Sequence, residues 1–248
     1  MRDSPLHPAA SGKWIDEAEL SFEINEPDAY ALEEALQLKE KHGGEVVVLC
    51  AGPERAAQTI REALAKGADR AIHIETDATE ALESLDTLGV AKLLAAAVTP
   101  EKPDLILTGL QSDDLGAGQT GVVMAELLGV PHSTIIMQVE ARDTSIRVKR
   151  ELENGWFQHI ELPMPAVLAM QSGSNKLRYA TLMGIKKAKT KEIRRVTPAE
   201  LGGTAAAVAT IEKVYLPQKS KQTQIFEGDA KTAAAQLVEK LKFEARIL

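Results

Sequence analysis

The stretch Asp104-Leu-Ile-Leu-Thr-Gly-Leu-Gln-Ser-Asp-Asp-Leu-Gly-Ala-Gly-Gln-Thr-Gly-Val-Val-Met-Ala-Glu-Leu-Leu-Gly129 decides how this chain folds. It opens on an apolar run, Leu105 to Leu107. A polar, glycine-rich segment follows from Gly109 to Gly121. An amphipathic run from Val122 to Leu128 comes next, and Gly129 closes it. The order reads as strand, loop, helix and glycine stop. In an open parallel sheet such loops lie outside the carboxyl ends of the strands, where ligands bind. Gly116, Gly118 and Gly121 let a ligand approach the backbone closely. The helix start near Gln119 and Thr120 offers unpaired N–H groups and a positive dipole end to a phosphate. Asp113 and Asp114 are acceptors suited to ribose hydroxyls or to loop N–H groups. An equally open reading is a glycine-bearing connector whose aspartates cap the helix.

The segments upstream repeat the strand and helix alternation. Asn25-Glu26-Pro27-Asp28 is a helix start: a capping side chain, a first-turn proline, and acids near the positive end. The helix runs to about His42 and ends at Gly43-Gly44. Glu45 to Cys50 predicts a buried strand, and Glu54 to Lys66 a second helix stopped by Gly67. Arg70 to Glu75 is a third apolar run, and Leu88 to Val98 a third helix. Lys13 to Ile24 alternates loosely and predicts a short hairpin. Strands alternating with helices over short connections predict a doubly wound, mostly parallel α/β sheet.

Downstream of Pro131 the pattern changes. Ser133–Ala141, Ile146–Leu152, Trp156–Leu162 and Ala166–Met170 read as strands, added antiparallel at one side of the sheet. Thr181 to Lys189 predicts a short helix capped by Thr181, and Thr197 to Gly202 a capped turn. Ala207 to Leu216 is strand-like. Pro217 to Gly228 is a polar linker. Asp229 to Phe243 is a last helix with an apolar stripe at Ala233, Leu237 and Leu241. The expected division is a nucleotide-binding domain over residues 1–202, including an arm over 170–192, and a C-terminal arm and helix over 203–248.

Composition narrows the function classes. The 248 residues are 44% hydrophobic and carry a net charge of -7. Such a chain buries a sizeable core and is not drawn to nucleic acid or anionic membrane by its overall charge. One cysteine, Cys50, excludes an internal disulfide and a cysteine metal cluster. The five histidines lack metal-ligand spacing, and no metal site is expected. There is no apolar run near the ~20 residues that span a bilayer. The start lacks the apolar middle of a signal peptide, so a cytoplasmic location is expected. No phosphate loop ending in Gly-Lys-Ser/Thr, nucleophile elbow or His-Glu-x-x-His is present, and no catalytic residue is assigned. Six of the ten residues from Lys186 to Arg195 are basic. Two readings stand side by side: a solvated helix end with lysines on its negative dipole, or a docking surface for an acidic partner.

Asn25-Glu-Pro-Asp28, Ala31-Leu-Glu-Glu-Ala35, Ala51-Gly52-Pro53, Gly67-Ala-Asp-Arg70, Gln119-Thr-Gly121, Arg150-Glu151 and Leu177-Arg-Tyr-Ala-Thr-Leu182 occur in that order. Together they resemble the beta subunit of electron transfer flavoprotein, from about Ile24 to Gly202 and more loosely to the end. The resemblance implies an adenine-nucleotide alpha-hydrolase-like fold and an electron-transfer subunit rather than an enzyme. It implies a heterodimer whose alpha subunit holds most of a redox-active FAD, while this subunit binds a structural AMP. In this chain Asn25, Glu26, Pro27, Asp28, Ala51, Gly109, Gln111, Asp113, Asp114, Gly116, Gly118, Gln119 and Thr120 match the nucleotide-holding segments. The arm over 170–192 matches a partner-recognition loop, with Leu182 as its apolar anchor and Arg178, Tyr179, Lys186, Lys187 and Lys189 around it. Arg150 and Glu151 match positions near the subunit and flavin side. The implied partners are the alpha subunit, acyl-CoA or related dehydrogenases of fatty acid oxidation, and a membrane quinone oxidoreductase, without direct membrane insertion.

Three departures qualify the match. The family's first strand is missing, and the true start is expected upstream of Met1. Leu177, Met183 and Gly184 stand where proline or Pro-Asn is common, which leaves the partner dehydrogenase open. Ser112 to Gly118 is not the commonest nucleotide loop. A bifurcating type, with a second FAD in the AMP site and NADH as donor, is one alternative. A non-redox adenine-nucleotide-binding module is another, and a nucleotide hydrolase or ligase is disfavoured by the missing phosphate-loop lysine.

Overall fold

The computed structural model describes residues 6–18, 20–76, 85–203, 207–217 and 223–247. The chain divides into two compact units, Met1–Val214 and Tyr215–Leu248.

In the first unit, helix α1 spans Glu26–His42, with Pro27 in its first turn and three basic residues in its last. Strand β1 covers Val47–Gly52, and helix α2, Ala57–Lys66, follows a single 3-10 turn. Strand β2 is Arg70–Glu75. Helix α3, Thr87–Val98, is capped by Asp86, whose carboxylate accepts from Gly89 N. Strand β3 is Leu105–Gly109, and helix α4 is Thr120–Leu128. Strands β4, His132–Ala141, β5, Ser145–Glu151, and β6, Phe157–Pro163, form an antiparallel meander. Strand β7, Ala166–Met170, lies between β3 and β4, parallel to both. Helix α5, Leu182–Ala188, and strand β8, Ile193–Val196, complete the unit.

The ladder comes in two pieces. One is β1-β2-β8, all parallel; the other is β3-β7-β4-β5-β6. Helices cover both faces, as a doubly wound fold requires. On one face Leu36 of α1 packs with Val46, Ile60 and Leu64, with Val48 and Cys50 of β1 against them. The same helix places Ala31 in the second core, with Ile136, Ile146, Leu168 and the β3 residues Leu105 and Leu107. On the opposite face Leu93 and Ala97 of α3 meet Ile74, with Leu49 and Ala51 of β1 beside them. Alternate residues of β1 thus serve opposite cores, as the two-residue period of a strand demands.

Most of the expected elements form. Of the four runs expected as antiparallel additions, only β5 and β6 are such; Ala166–Met170 instead inserts as β7 between β3 and β4, parallel to both, so β4 also belongs to the parallel part of the sheet. Two expected elements are absent among the described residues. Lys13–Ile24 makes no hairpin among its described residues; an isolated bridge joins Pro8 to Ile15. Glu17 there accepts from the Trp14 indole and pairs with Arg55, 38 residues away. Ala207–Leu216 likewise has no strand in its described part, where Val208, Tyr215 and Leu216 are exposed. The Ser4-to-Gly12 stretch and the Asp77–Asp86 stretch fall partly outside the described residues.

In the second unit, helix α6 spans Ala230–Phe243. Asp229 caps it by accepting from Thr232 N at 2.8 Å. Of its expected stripe, Leu237 is exposed, as are Val238 and Phe243.

Candidate nucleotide site and partner arm

Both candidate regions hang on α1. At its start, Asn25 does not cap the helix, contrary to the expectation from its type. Its amide instead crosses to the loop after β3. Asn25 Nδ2 donates to Gln111 O at 3.0 Å and to Asp28 Oδ2 at 2.7 Å, and Asn25 Oδ1 accepts from Asp113 N at 3.0 Å. Asp28 Oδ1 accepts from Gly109 N at 2.7 Å. Three of these bonds stitch the first turn of α1 to the carboxyl end of β3 and the loop after it. Pro27 is buried beneath them.

Glycine is required at Gly109 for want of room. A Cβ there would stand 2.7 Å from Asp28 N and 2.8 Å from Asp28 Oδ2. Gly121, in the first turn of α4, is similar: a Cβ would stand 2.6 Å from Thr108 Oγ1. That hydroxyl is buried without a hydrogen-bond partner. Gly116 and Gly118 turn the loop with positive φ, at 63° and 62°. Ser112 O accepts from Gly116 N and closes the turn. Gln119, at the helix boundary, makes no capping bond, so the dipole end of α4 is uncapped by its own side chains. Thr120 is the first helical residue. Asp114 and Leu115 lie exposed on the loop.

Ala51 lies one residue from the end of β1. Gly52 O accepts from Thr76 N and meets His73 Nε2 at 3.0 Å, which fixes the β1 and β2 ends together. Burial, with the Asp28 charge added, pushes the Cys50 thiol up to about 11, so it stays a neutral core group. Among the described residues no cluster of three or more His, Cys, Asp or Glu is placed to hold a metal. No described helix is long and apolar enough to cross a membrane.

The middle of α1 holds the arm. Arg178 donates from Nε to Glu33 Oε2 at 2.7 Å and from Nη1 to Glu40 Oε1 at 2.6 Å. Burial pushes Glu33 up, but the Arg178 bonds and charge and a bond from Gln37 outweigh it, leaving the carboxyl below its usual range. Next door, burial raises Glu34, an effect the Asn175 bond only partly offsets and the Glu33 charge reinforces. Asn175 Nδ2 donates to Tyr30 O and Glu34 Oε2, both at 3.2 Å. Arg178 is thus turned inward as a strap, where its sequence position suggested a partner contact.

Beyond the strap the arm faces solvent. Tyr179 is 92% exposed, Leu182 87% and Met183 63%. Thr181 caps α5 as expected, accepting from Gly184 N at 3.0 Å. Gly184 presses α5 onto α2 so closely that a Cβ would stand 2.2 Å from Ala65 O. The basic run divides. Lys186, Lys187 and Lys189 are exposed. Lys191 Nζ instead donates to Leu64 O and Ala68 O. Arg194 pairs with Glu101 and Arg195 with Glu75, both from β8, an element absent from the sequence expectation. Its signal was only four residues long, Ile-Arg-Arg-Val, hidden in the charge run.

A further feature had no sequence signal. Strand β4 bulges between Ser133 and Gln138, and Ile135 takes φ 59°. A β-branched residue there is strained, which a functional or packing constraint must over-determine. Arg150 of β5 approaches the bulge at Thr134 Oγ1, 3.4 Å away, and its Nε is buried without a partner.

These segments match known proteins as one set. A model of the electron transfer flavoprotein domain matches residues 13–201. The chain belongs to the electron transfer flavoprotein family. The electron transfer flavoprotein subunit beta of Methylophilus methylotrophus is 37% identical over 238 residues, covering 92% of this chain and 89% of that protein. The subunit beta of Bacillus subtilis is 36% identical over 231 residues, covering 91% and 88%. That of Mus musculus is 39% identical over 219 residues, covering 88% and 83%. In this electron transfer flavoprotein homologue, the family match spans the strand-end loop, the strap and the exposed arm alike.

Proposed function

We propose that this chain is the beta subunit of a heterodimeric electron transfer flavoprotein and holds AMP at its strand ends. The observation that carries the nucleotide reading is the cradle at Gly109 and Gly121. No Cβ fits at either position, Thr108 Oγ1 is buried without a partner, and the start of α4 is uncapped. Those features suit a phosphate on the α4 N-terminus and an adenosine along the loop from Gln111 to Gly118. Asn25 and Asp28 would position that loop, and Thr120 would meet the phosphate. AMP supplies no chemistry and acts as structure. The redox chemistry comes from an FAD held mainly by the alpha subunit, which makes this subunit a carrier component without a catalytic residue of its own.

The exposed arm gives the carrier its docking group. Tyr179, Leu182 and Met183, rimmed by Lys186, Lys187 and Lys189, would meet an acidic rim around an apolar pocket on acyl-CoA or related dehydrogenases. Electrons would leave to a membrane quinone oxidoreductase. The test is co-expression with a flavin-binding alpha subunit, followed by an absorption spectrum and nucleotide extraction. One FAD and one AMP per heterodimer is expected. Two FAD and no AMP would replace the reading with the bifurcating type, and nucleotide without any flavin partner would leave only a binding module.

A further inference from the structure

Helix α5 is too weakly built to hold its own shape. It has seven residues, and of these Ala188 alone is buried. A helix shorter than about 12 residues is marginal in water unless something outside it holds it. Its contact face consists of Gly184 and Ala188, one turn apart and too small to bury much apolar area. Leu182, Met183 and Ile185 are exposed instead.

Two cations supply what packing does not. Arg61 of α2 donates from Nη1 to Ala188 O at 2.6 Å, the last carbonyl of α5, and to Lys191 O at 2.7 Å just beyond. Lys191 reaches back: its Nζ donates to Leu64 O at 2.9 Å, in the last turn of α2, and to Ala68 O past its end. The carboxyl end of each helix is therefore capped by a cation carried beside or on the other. The last carbonyls of a helix have no partner within it and form the negative end of its dipole, so a charged donor satisfies both. Both side chains are half-buried and spend their donors on main chain, which fixes backbone rather than another flexible side chain. At the start of α5, the Thr181 cap and the close contact of Gly184 with Ala65 O complete the seat. The helix is thus fixed to α2 along its whole length, with its apolar residues left exposed.

We propose that Arg61 and Lys191 are positioning residues of the arm: their reciprocal caps hold α5 at one angle on α2, so that Leu182, Met183 and Ile185 meet a partner already in place. The inference rests on the docking role of the arm. Both residues act through the apolar group they place. Without the caps, a partner would have to order the helix as it docked. That ordering cost reads out as weaker binding and leaves the electron-transfer step alone.

The test uses the heterodimer with its alpha subunit and an acyl-CoA dehydrogenase reduced by its own substrate. Arg61→Met and Lys191→Met keep an apolar stem and remove the donors. Each should raise KM for the carrier ~10-fold while kcat, bound flavin and nucleotide stay unchanged. Amides of Ile185–Ala188 should exchange ~10-fold faster or more. Arg61→Lys, which can still reach one carbonyl, should recover part of the loss. Combined with Leu182→Ala, either variant should add far less than its own factor, because it acts by placing that side chain. Full multiplication of the two factors would overturn the proposal alone. So would an unchanged KM in Arg61→Met and Lys191→Met while Leu182→Ala raises it. An unchanged KM in all three would overturn the docking role as well. Loss of flavin or of the heterodimer in both Met variants would make the caps purely structural and sink the proposal too.

Discussion

The strand-end loop and the exposed arm are both positioned by α1, and by different kinds of bond. At the first turn, short bonds from Asn25 and Asp28 reach backbone groups of the loop, Gln111 O, Asp113 N and Gly109 N. In the middle of the helix, a guanidinium is strapped across Glu33, 5% exposed, and the more open Glu40. The first arrangement specifies backbone geometry and depends on the absence of a side chain at Gly109. The second specifies where a polar segment is pinned and depends on charge. One helix therefore registers two surfaces against each other, and each surface should fail in its own way.

Adding one methyl group to each region should separate them with the largest effects. Gly109→Ala places Cβ against the Asp28 backbone, which cannot swing aside as a flexible side-chain end could. Gly184→Ala places it against Ala65 O of α2. Overpacking of this kind costs about 1–3 kcal/mol and shifts the backbone. The first variant should lose most co-purifying nucleotide while partner docking through the arm survives. The second should retain nucleotide and lose docking. If either variant lost both properties with its fold intact by circular dichroism, the two regions would not be separable.

A finer cut distinguishes what pins the arm from what the arm presents. Arg178→Met removes the strap and leaves Glu33 buried without its cation, which should cost about 2 kcal/mol or more. Leu182→Ala touches an exposed side chain and should change stability by less than about 0.5 kcal/mol. On the docking reading it should nonetheless weaken dehydrogenase binding by roughly 30-fold, as an anchor worth ~2 kcal/mol would. A lowered melting temperature with unchanged partner affinity in Leu182→Ala would make Leu182 a packing residue of its own subunit.

How much of this was legible in the sequence follows from range. The helix over Glu26–His42 and the strands Arg70–Glu75 and Ala166–Met170 announce themselves through local periodicity and stop signals. The glycine loop between β3 and α4 does so through composition. Capping is the local use of asparagine, whereas Asn25 bonds Asp28 and two backbone groups 86 and 88 residues away. Arg178 and Glu33 are 145 apart, and nothing local marks their pairing. β8 is short and carries two arginines at its centre, so charge hid its strand character. The division of the ladder into two pieces needed the structure. For the ligand site, sequence supplied the segments, while the reason for Gly109, its contact with Asp28, needed coordinates.

The smallest expected effect is a pH profile of the strap, and its sign differs between adjacent residues. Glu33 is held below its ordinary range in the folded chain because the Arg178 contacts outweigh burial. Its contribution is present above the unfolded carboxylate value, ~4.3, and is lost as pH falls through the lower folded value. Glu34 is shifted the other way, chiefly by burial, with the Glu33 charge adding to it. A carboxyl raised in the folded state contributes stability below the unfolded value and loses it as pH rises through the folded one. Acidifying from neutral should therefore first stabilise the arm slightly as Glu34 gains a proton, then release it as Glu33 does. Exchange of the Arg178 N–H, which donates to Glu33 Oε2 at 3.3 Å, reports both steps. Glu34→Gln should abolish the mild gain and keep the acid release, while Glu33→Gln should remove the acid release. A profile of wild type that falls monotonically from pH 7 would show that Glu34 does not gain its proton above Glu33, and that the two neighbours are not split in the order their surroundings dictate.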